Sequence, residues 1–128
     1  MKAAFVDSSC LVAVAFGERG GKRLATLLGG FDVLLASNLL EAELRCALAR
    51  EQVETEPSPL LQPLSWVLPD RSLGSELARV LSAGYVRGAD AWHLACALYV
   101  EPEPRELTFL SLDTPQRRLA KALGFPVL

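Results

Sequence analysis

Short apolar runs, each too short for a helix, alternate along this chain with stretches of helical periodicity, and two of the runs stop at an aspartate. Ala3-Ala4-Phe5-Val6 ends at Asp7, and Leu107 to Leu112 ends at Asp113. Runs of this length, bounded by a charge or a turn residue, read as buried strands. Phe31 to Ala36 reads the same way, and Phe125 to Leu128 as a short final strand. Helices are predicted over Cys10 to Phe16 behind a Ser8 or Ser9 cap, over Gly21 to Leu28, and from a Ser37 or Asn38 cap to Arg50. Three more follow: Ser72 to Ala83 with Leu73, Leu77, Val80 and Leu81 on one side, the nearly all-apolar Ala89 to Val100, and Pro115 to Leu123. Strands alternating with helices pair in parallel through right-handed crossovers. The fold class is therefore α/β, a three-layer α/β/α sandwich with a short parallel sheet. Ligand sites in such sheets lie at the carboxyl ends of the strands, the rim to which Asp7 and Asp113 belong. Asp32 begins its strand and belongs to the opposite rim.

At 128 residues, the chain is expected to be one domain over 1–128. Residues 51–71 hold Pro57, Pro59, Pro63 and Pro69, and within them a short helix is expected around Leu60 to Trp66. With 51% hydrophobic residues there is enough apolar material for a core, which excludes a disordered chain. The formal charge of −2 excludes a global attraction for phosphate, so a nucleic-acid partner needs a local basic patch. Cys10, Cys46 and Cys96 are odd in number, lack C-x-x-C spacing and lie among apolar residues; free, buried thiols in a reducing cytoplasm are expected. No apolar run approaches a membrane span, and Asp7 interrupts the only stretch resembling a leader.

The chain has five aspartates, and Asp90 stands in the first turn of its most apolar helix. A charge there needs the helix N-terminus, a metal or a cation to meet it. Glu41 and Glu43 lie about 200° apart on their helix, so only one can face inward, and the wheel alone does not choose. His93, the only histidine, follows Asp90 by three residues and reads as a packed, hydrogen-bonded core residue in preference to a general base. His93 and Cys96 lack the further ligands a zinc site needs.

Four segments now carry a resemblance: Phe5-Val6-Asp7-Ser8-Ser9 with the following Leu11-Val12; Ser37-Asn38-Leu39-Leu40-Glu41-Ala42-Glu43-Leu44-Arg45; Leu81 through Arg87-Gly88-Ala89-Asp90-Ala91-Trp92-His93-Leu94-Ala95-Cys96-Ala97; and Leu110-Ser111-Leu112-Asp113 with Arg117-Arg118-Leu119-Ala120 and Leu123-Gly124-Phe125. In this order and spacing the chain resembles PIN-domain proteins, specifically the VapC-type ribonuclease toxins of toxin–antitoxin pairs, over essentially its whole length. The resemblance implies an acidic quartet of Asp7, Glu43, Asp90 and Asp113, with Glu43 chosen because it lies six positions after Ser37. Ser111 stands where the family often has threonine, a hydroxyl in either case.

That likeness implies an endoribonuclease that hydrolyses RNA phosphodiesters with Mg²⁺, for which Mn²⁺ substitutes. Asp7, Asp90 and Asp113 would hold metal, with Glu43 orienting water or holding a second ion. Ser9 and Ser111 would support the site, and Arg45, Arg117, Arg118 and Lys121 would meet RNA phosphates unless they are simply solvated. A homodimer and a small antitoxin partner are implied as well. The competing reading is a catalytically silent PIN domain that binds RNA or protein, which a metal titration would separate. A haloacid-dehalogenase-like phosphatase needs a second aspartate two residues after the first, where this chain has Ser9. Neither glycine-rich nucleotide-binding motif occurs.

Overall fold

The computed structural model describes every residue from Met1 to Leu128. Strands β1 (Ala3–Val6), β2 (Val33–Ser37), β3 (Leu64–Val67) and β4 (Thr108–Leu110) form one parallel sheet in the order β3-β2-β1-β4. Central β1 pairs Phe5 with Leu35 of β2 and with Phe109 of β4. Its side chains alternate between faces, as the pleat requires. Ala4 and Val6 enter one apolar cluster, and Phe5 enters the other, stacked on Phe109 with ring centroids 5.8 Å apart.

Helices α1 (Ser8–Ala15), α2 (Gly21–Gly29), α3 (Leu40–Arg50) and α4 (Ser58–Leu61) cover the first face through Leu11, Leu28, Leu40, Leu44 and Leu61. Helices α5 (Gly74–Ala83), α6 (Gly88–Val100) and α7 (Thr114–Leu123) cover the second through Val80, Leu94, Leu98 and Leu119. The α/β/α sandwich is thus present as three layers. Helix α6 buries Leu94 through Leu98 without a break, which is why its sequence is apolar all round; each buried leucine contributes about 1.5–3 kcal/mol. The chain leaves β1 for one face and β4 for the other, so a crevice opens at the carboxyl ends of these neighbouring strands. Asp32 lies at the opposite rim, where its carboxylate accepts from the Lys2 backbone N–H at 2.7 Å. No helix is long and apolar enough to cross a membrane.

Four expectations are corrected. The helix around Leu60 to Trp66 is instead the short α4 followed by β3, which pairs Leu64 to Val67 with Leu34 to Ser37 of β2. Pro63 supplies no N–H to continue a helix, and Trp66 and Val67 suit a strand. Phe125 to Leu128 makes only one isolated bridge, Phe109 with Val127, since Pro126 gives the ladder no donor. Cys46 is exposed, whereas Cys10 and Cys96 are buried. Leu81 is half exposed, leaving Leu73, Leu77 and Val80 to hold α5.

Candidate active site

Asp7 ends β1 and is only 3% exposed. Its Oδ2 accepts the Ser9 backbone N–H at 3.1 Å, so Asp7 itself caps α1, the role expected of Ser8 or Ser9. A carboxylate at a helix start is favoured by the macrodipole, which offsets part of the cost of burying it. Ser9 ties the two strand ends together: its Oγ accepts the Leu112 backbone N–H at 3.0 Å and lies 3.5 Å from Ser111 Oγ.

Asp113 caps α7 by accepting the Gln116 backbone N–H at 3.0 Å. Ser111 Oγ accepts the Asp113 backbone N–H at 3.0 Å and donates to Gln116 Oε1 at 2.6 Å. Gln116 is fully buried and reaches three of the acidic residues at once. Besides its bond to Asp113, its Nε2 lies 3.4 Å from Asp7 Oδ1 and 3.3 Å from the Asp90 carbonyl. It fixes the spacing of the rim from below.

The two glutamates of α3 part company. Glu41 pairs with exposed Arg45 at 2.7 Å on the outer surface, whereas Glu43 turns inward and accepts a hydrogen bond from His93 Nε2. His93 has no exposed surface; its Nδ1 meets Ser37 Oγ at 2.8 Å, and Nε2 is 3.6 Å from Asp7 Oδ1. Ser37 does not cap α3, which opens at Leu40, but its hydroxyl accepts the Leu39 backbone N–H at 3.2 Å. His93 is therefore packed and hydrogen-bonded, and it is also part of the acidic cluster. Burial alone would lower its pKa, but the Glu43 hydrogen bond and the charges of Asp7, Glu43 and Asp90 outweigh that and raise it.

Asp90, half-buried in the first turn of α6, has its pKa raised by burial and then by the charges of Asp7 and Asp113, with His93 pulling the other way. The four acids thus act within one electrostatic field. Of the five ion pairs in the molecule, those that involve these acids go to His93, one to Asp7 and one to Glu43. Asp90 and Asp113 line a cleft of about 210 Å³ together with Tyr85, Val86, Arg87 and Pro115. A larger cleft, about 400 Å³ and mostly apolar, runs between Leu11, Leu28, Phe31, Leu60 and Leu64 at some remove from the acids. The larger cleft carries one carboxylate, Asp32 at the opposite rim, whereas the smaller carries two, Asp90 and Asp113.

A dense set of carboxylates balanced by a single imidazole has room in its charge balance for a hard cation bound through oxygen. Carboxylate oxygens of Asp7 and Glu43 lie within 4.8 Å of each other beside His93, so oxygen donors that suit a divalent ion are present, while His93, which donates to Glu43, is a counter-charge and not a ligand. Compared with protein families, the chain matches the PIN domain over residues 4–122. The chain belongs to the PIN-domain family. PIN domains are generally metal-dependent nucleases that bind nucleic acid, and a cluster of acids lies at this PIN domain's rim. Among curated proteins no match is found.

The basic residues are distributed unevenly. Arg117, Arg118 and Lys121 line a shallow cleft of about 290 Å³ on α7, the helix that Asp113 opens, and Arg117 also donates to the Leu128 carbonyl. Arg45 is held outside by Glu41. Three contributors to this PIN domain's rim were not assigned to it from sequence: His93, Ser37 and Gln116. The helical spacing of His93 from Asp90 was one usable signal, and Asp113-Thr114-Pro115-Gln116, a cap residue with glutamine three positions later, was another.

Proposed function

We propose that this PIN domain is a metal-dependent endoribonuclease, and that it hydrolyses RNA phosphodiesters as the toxin of a toxin–antitoxin pair. One observation carries the reading: a buried Asp7 at the sheet's crevice shares its field with Glu43, Asp90 and Asp113, and only Asp7 and Glu43 have an ion-pair partner, His93. Asp7, Asp90 and Asp113 would hold Mg²⁺, for which Mn²⁺ substitutes, with Glu43 completing the set; such an ion lowers the pKa of bound water and stabilises charge on a phosphate. Glu43, whose Oε1 is held by His93, would orient the water or hold a second ion through its other carboxylate oxygen. Gln116 and Ser111 keep Asp7 and Asp113 at fixed spacing, and Ser9 locks the loop after β4. Arg117, Arg118 and Lys121 would take phosphates beyond the scissile bond, and Arg45 could join them once released from Glu41.

The toxin role rests on the resemblance of the four acidic segments to VapC-type proteins. A homodimer and a small antitoxin protein are the partners that reading implies, in the cytoplasm. Exposed Trp66, Leu68, Leu81 and Val100 supply apolar surface for such contacts.

Site-directed variants test the assignment. Asp7→Asn and Glu43→Gln should each lower RNA cleavage at least about a hundredfold, the scale expected for losing a positioned catalytic group, while keeping the native circular dichroism spectrum. Glu41→Gln, two residues away on the outer face, should cleave like wild type. Equal activity of the Glu43→Gln and Glu41→Gln proteins would refute the reading.

A further inference from the structure

The loop between α5 and α6, Gly84-Tyr85-Val86-Arg87, does something that the acidic chemistry does not require. Tyr85 is 82% exposed, the most exposed aromatic side chain of the molecule, yet the residues on both sides of it are held. A Cβ on Gly84 would lie 2.8 Å from Leu119 Cδ2, so the loop sits directly on α7. Val86 is buried in the core cluster that holds Leu94 and Leu119. Buried Val86 lies between exposed Tyr85 and exposed Arg87, the alternation of an extended backbone, which puts Tyr85 and Arg87 on one side. Both line the cleft of about 210 Å³ that Asp90 and Asp113 also line, and Arg87 is the only cation lining it. Arg87 takes part in none of the molecule's ion pairs.

An aromatic face and a free guanidinium, held still beside a site for phosphodiester chemistry, match the two halves of a nucleotide. We propose that Tyr85 and Arg87 form a nucleotide subsite that takes an unpaired base of single-stranded RNA on the Tyr85 ring and an adjacent phosphate on Arg87. A base offers its face only when it has left a duplex stack, so the subsite selects single-stranded or looped RNA over paired RNA. The guanidinium lowers the repulsion that the acidic rim imposes on an incoming phosphate, and its planar fork suits phosphate oxygens. This inference rests on the nuclease reading for the identity of the ligand, but its binding arm does not depend on cleavage.

The test uses the full chain and a ten-nucleotide single-stranded RNA carrying one 2-aminopurine, with its duplex as control. Binding is followed in EDTA by anisotropy and by 2-aminopurine quenching, and cleavage is followed separately in Mg²⁺. Tyr85→Phe should bind like wild type, whereas Tyr85→Ala should bind the single strand about tenfold more weakly and lose the quenching. Duplex binding should not depend on Tyr85. In Mg²⁺, Tyr85→Ala should raise KM by a similar factor and leave kcat nearly unchanged. Arg87→Gln should flatten the slope of log affinity against log salt by about 0.7, the equivalent of one phosphate on a single strand. Wild-type affinity and quenching in Tyr85→Ala, or equal losses on single strand and duplex, would overturn the subsite, as an unchanged slope would remove Arg87 from it. Tyr85-dependent binding without Mg²⁺-dependent cleavage would keep the subsite and remove the nuclease reading. Cleavage indifferent to Tyr85 would do the reverse.

Discussion

Gln116 shows how much a single side chain can organise. Its amide accepts from Ser111 Oγ and donates toward Asp7 and the Asp90 carbonyl, all away from solvent. Gln116→Leu would keep much of the volume and strip every one of these bonds, leaving buried oxygens unsatisfied. Such groups cost about 1–3 kcal/mol. Urea unfolding should show a loss of that size, with the slope of the transition unchanged; a neutral substitution would mean the network is slack. The sequence holds a signal for Gln116 that its reading did not use, its place three residues after Asp113, yet its reach across to Asp7 depends on β1 and β4 being neighbours, and no local pattern carries that. His93 was half legible for the same reason: helical spacing linked it to Asp90, but its partner Glu43 sits on α3, fifty residues away.

At the scale of elements, strong periodicity and clear caps made most of the fold readable. Helix α6 betrayed its central position through its apolar run, and β1 through four residues cut off by Asp7. Strand β3 was hidden because a proline-rich segment gives no period, and because four residues at a sheet edge need little patterning to pair with β2. The faces of the helices also decide thiol chemistry. Burial, with the charge of Asp7 behind it, pushes the Cys10 thiol up to about 12, and burial alone pushes Cys96 to about 12, whereas Cys46 lies on the open face of α3. The thiolate is the reactive form. Mass spectrometry after brief maleimide treatment of the native protein at neutral pH should therefore find one adduct, on Cys46, and three only after unfolding. Rapid labelling of Cys10 or Cys96 would show that α1 or α6 opens far more readily than its packing implies.

For the whole molecule, protons and metal compete for the same rim, and their effects on stability run in opposite directions. His93 faces Asp7 at the end of β1, Glu43 on α3 and Asp90 on its own helix, and its raised pKa means that the folded state holds its proton more tightly than the unfolded chain does. This contribution is fully present below the unfolded pKa of about 6.5 and is lost as pH rises through the folded value. Asp90, also raised, has the same sign at lower pH. Metal binding requires ionised ligands and so strengthens as pH rises. In EDTA, Tm should fall between pH 6 and pH 8 more steeply for wild type than for His93→Gln, while the rise in Tm on adding Mg²⁺ should be larger at pH 8 than at pH 6. A Mg²⁺ effect that shrinks with rising pH would contradict a carboxylate-held ion.

The most direct measurement is cleavage of a structured RNA by the purified protein in Mg²⁺, in EDTA, and after Mn²⁺ is restored, beside a matched Asp113→Asn preparation. Cleavage should stop in EDTA, return with Mn²⁺ to at least the Mg²⁺ level, and be absent from Asp113→Asn under every condition. Undiminished cleavage in EDTA that the Asp113→Asn protein lacks would show that the acids work without a metal, contrary to this account.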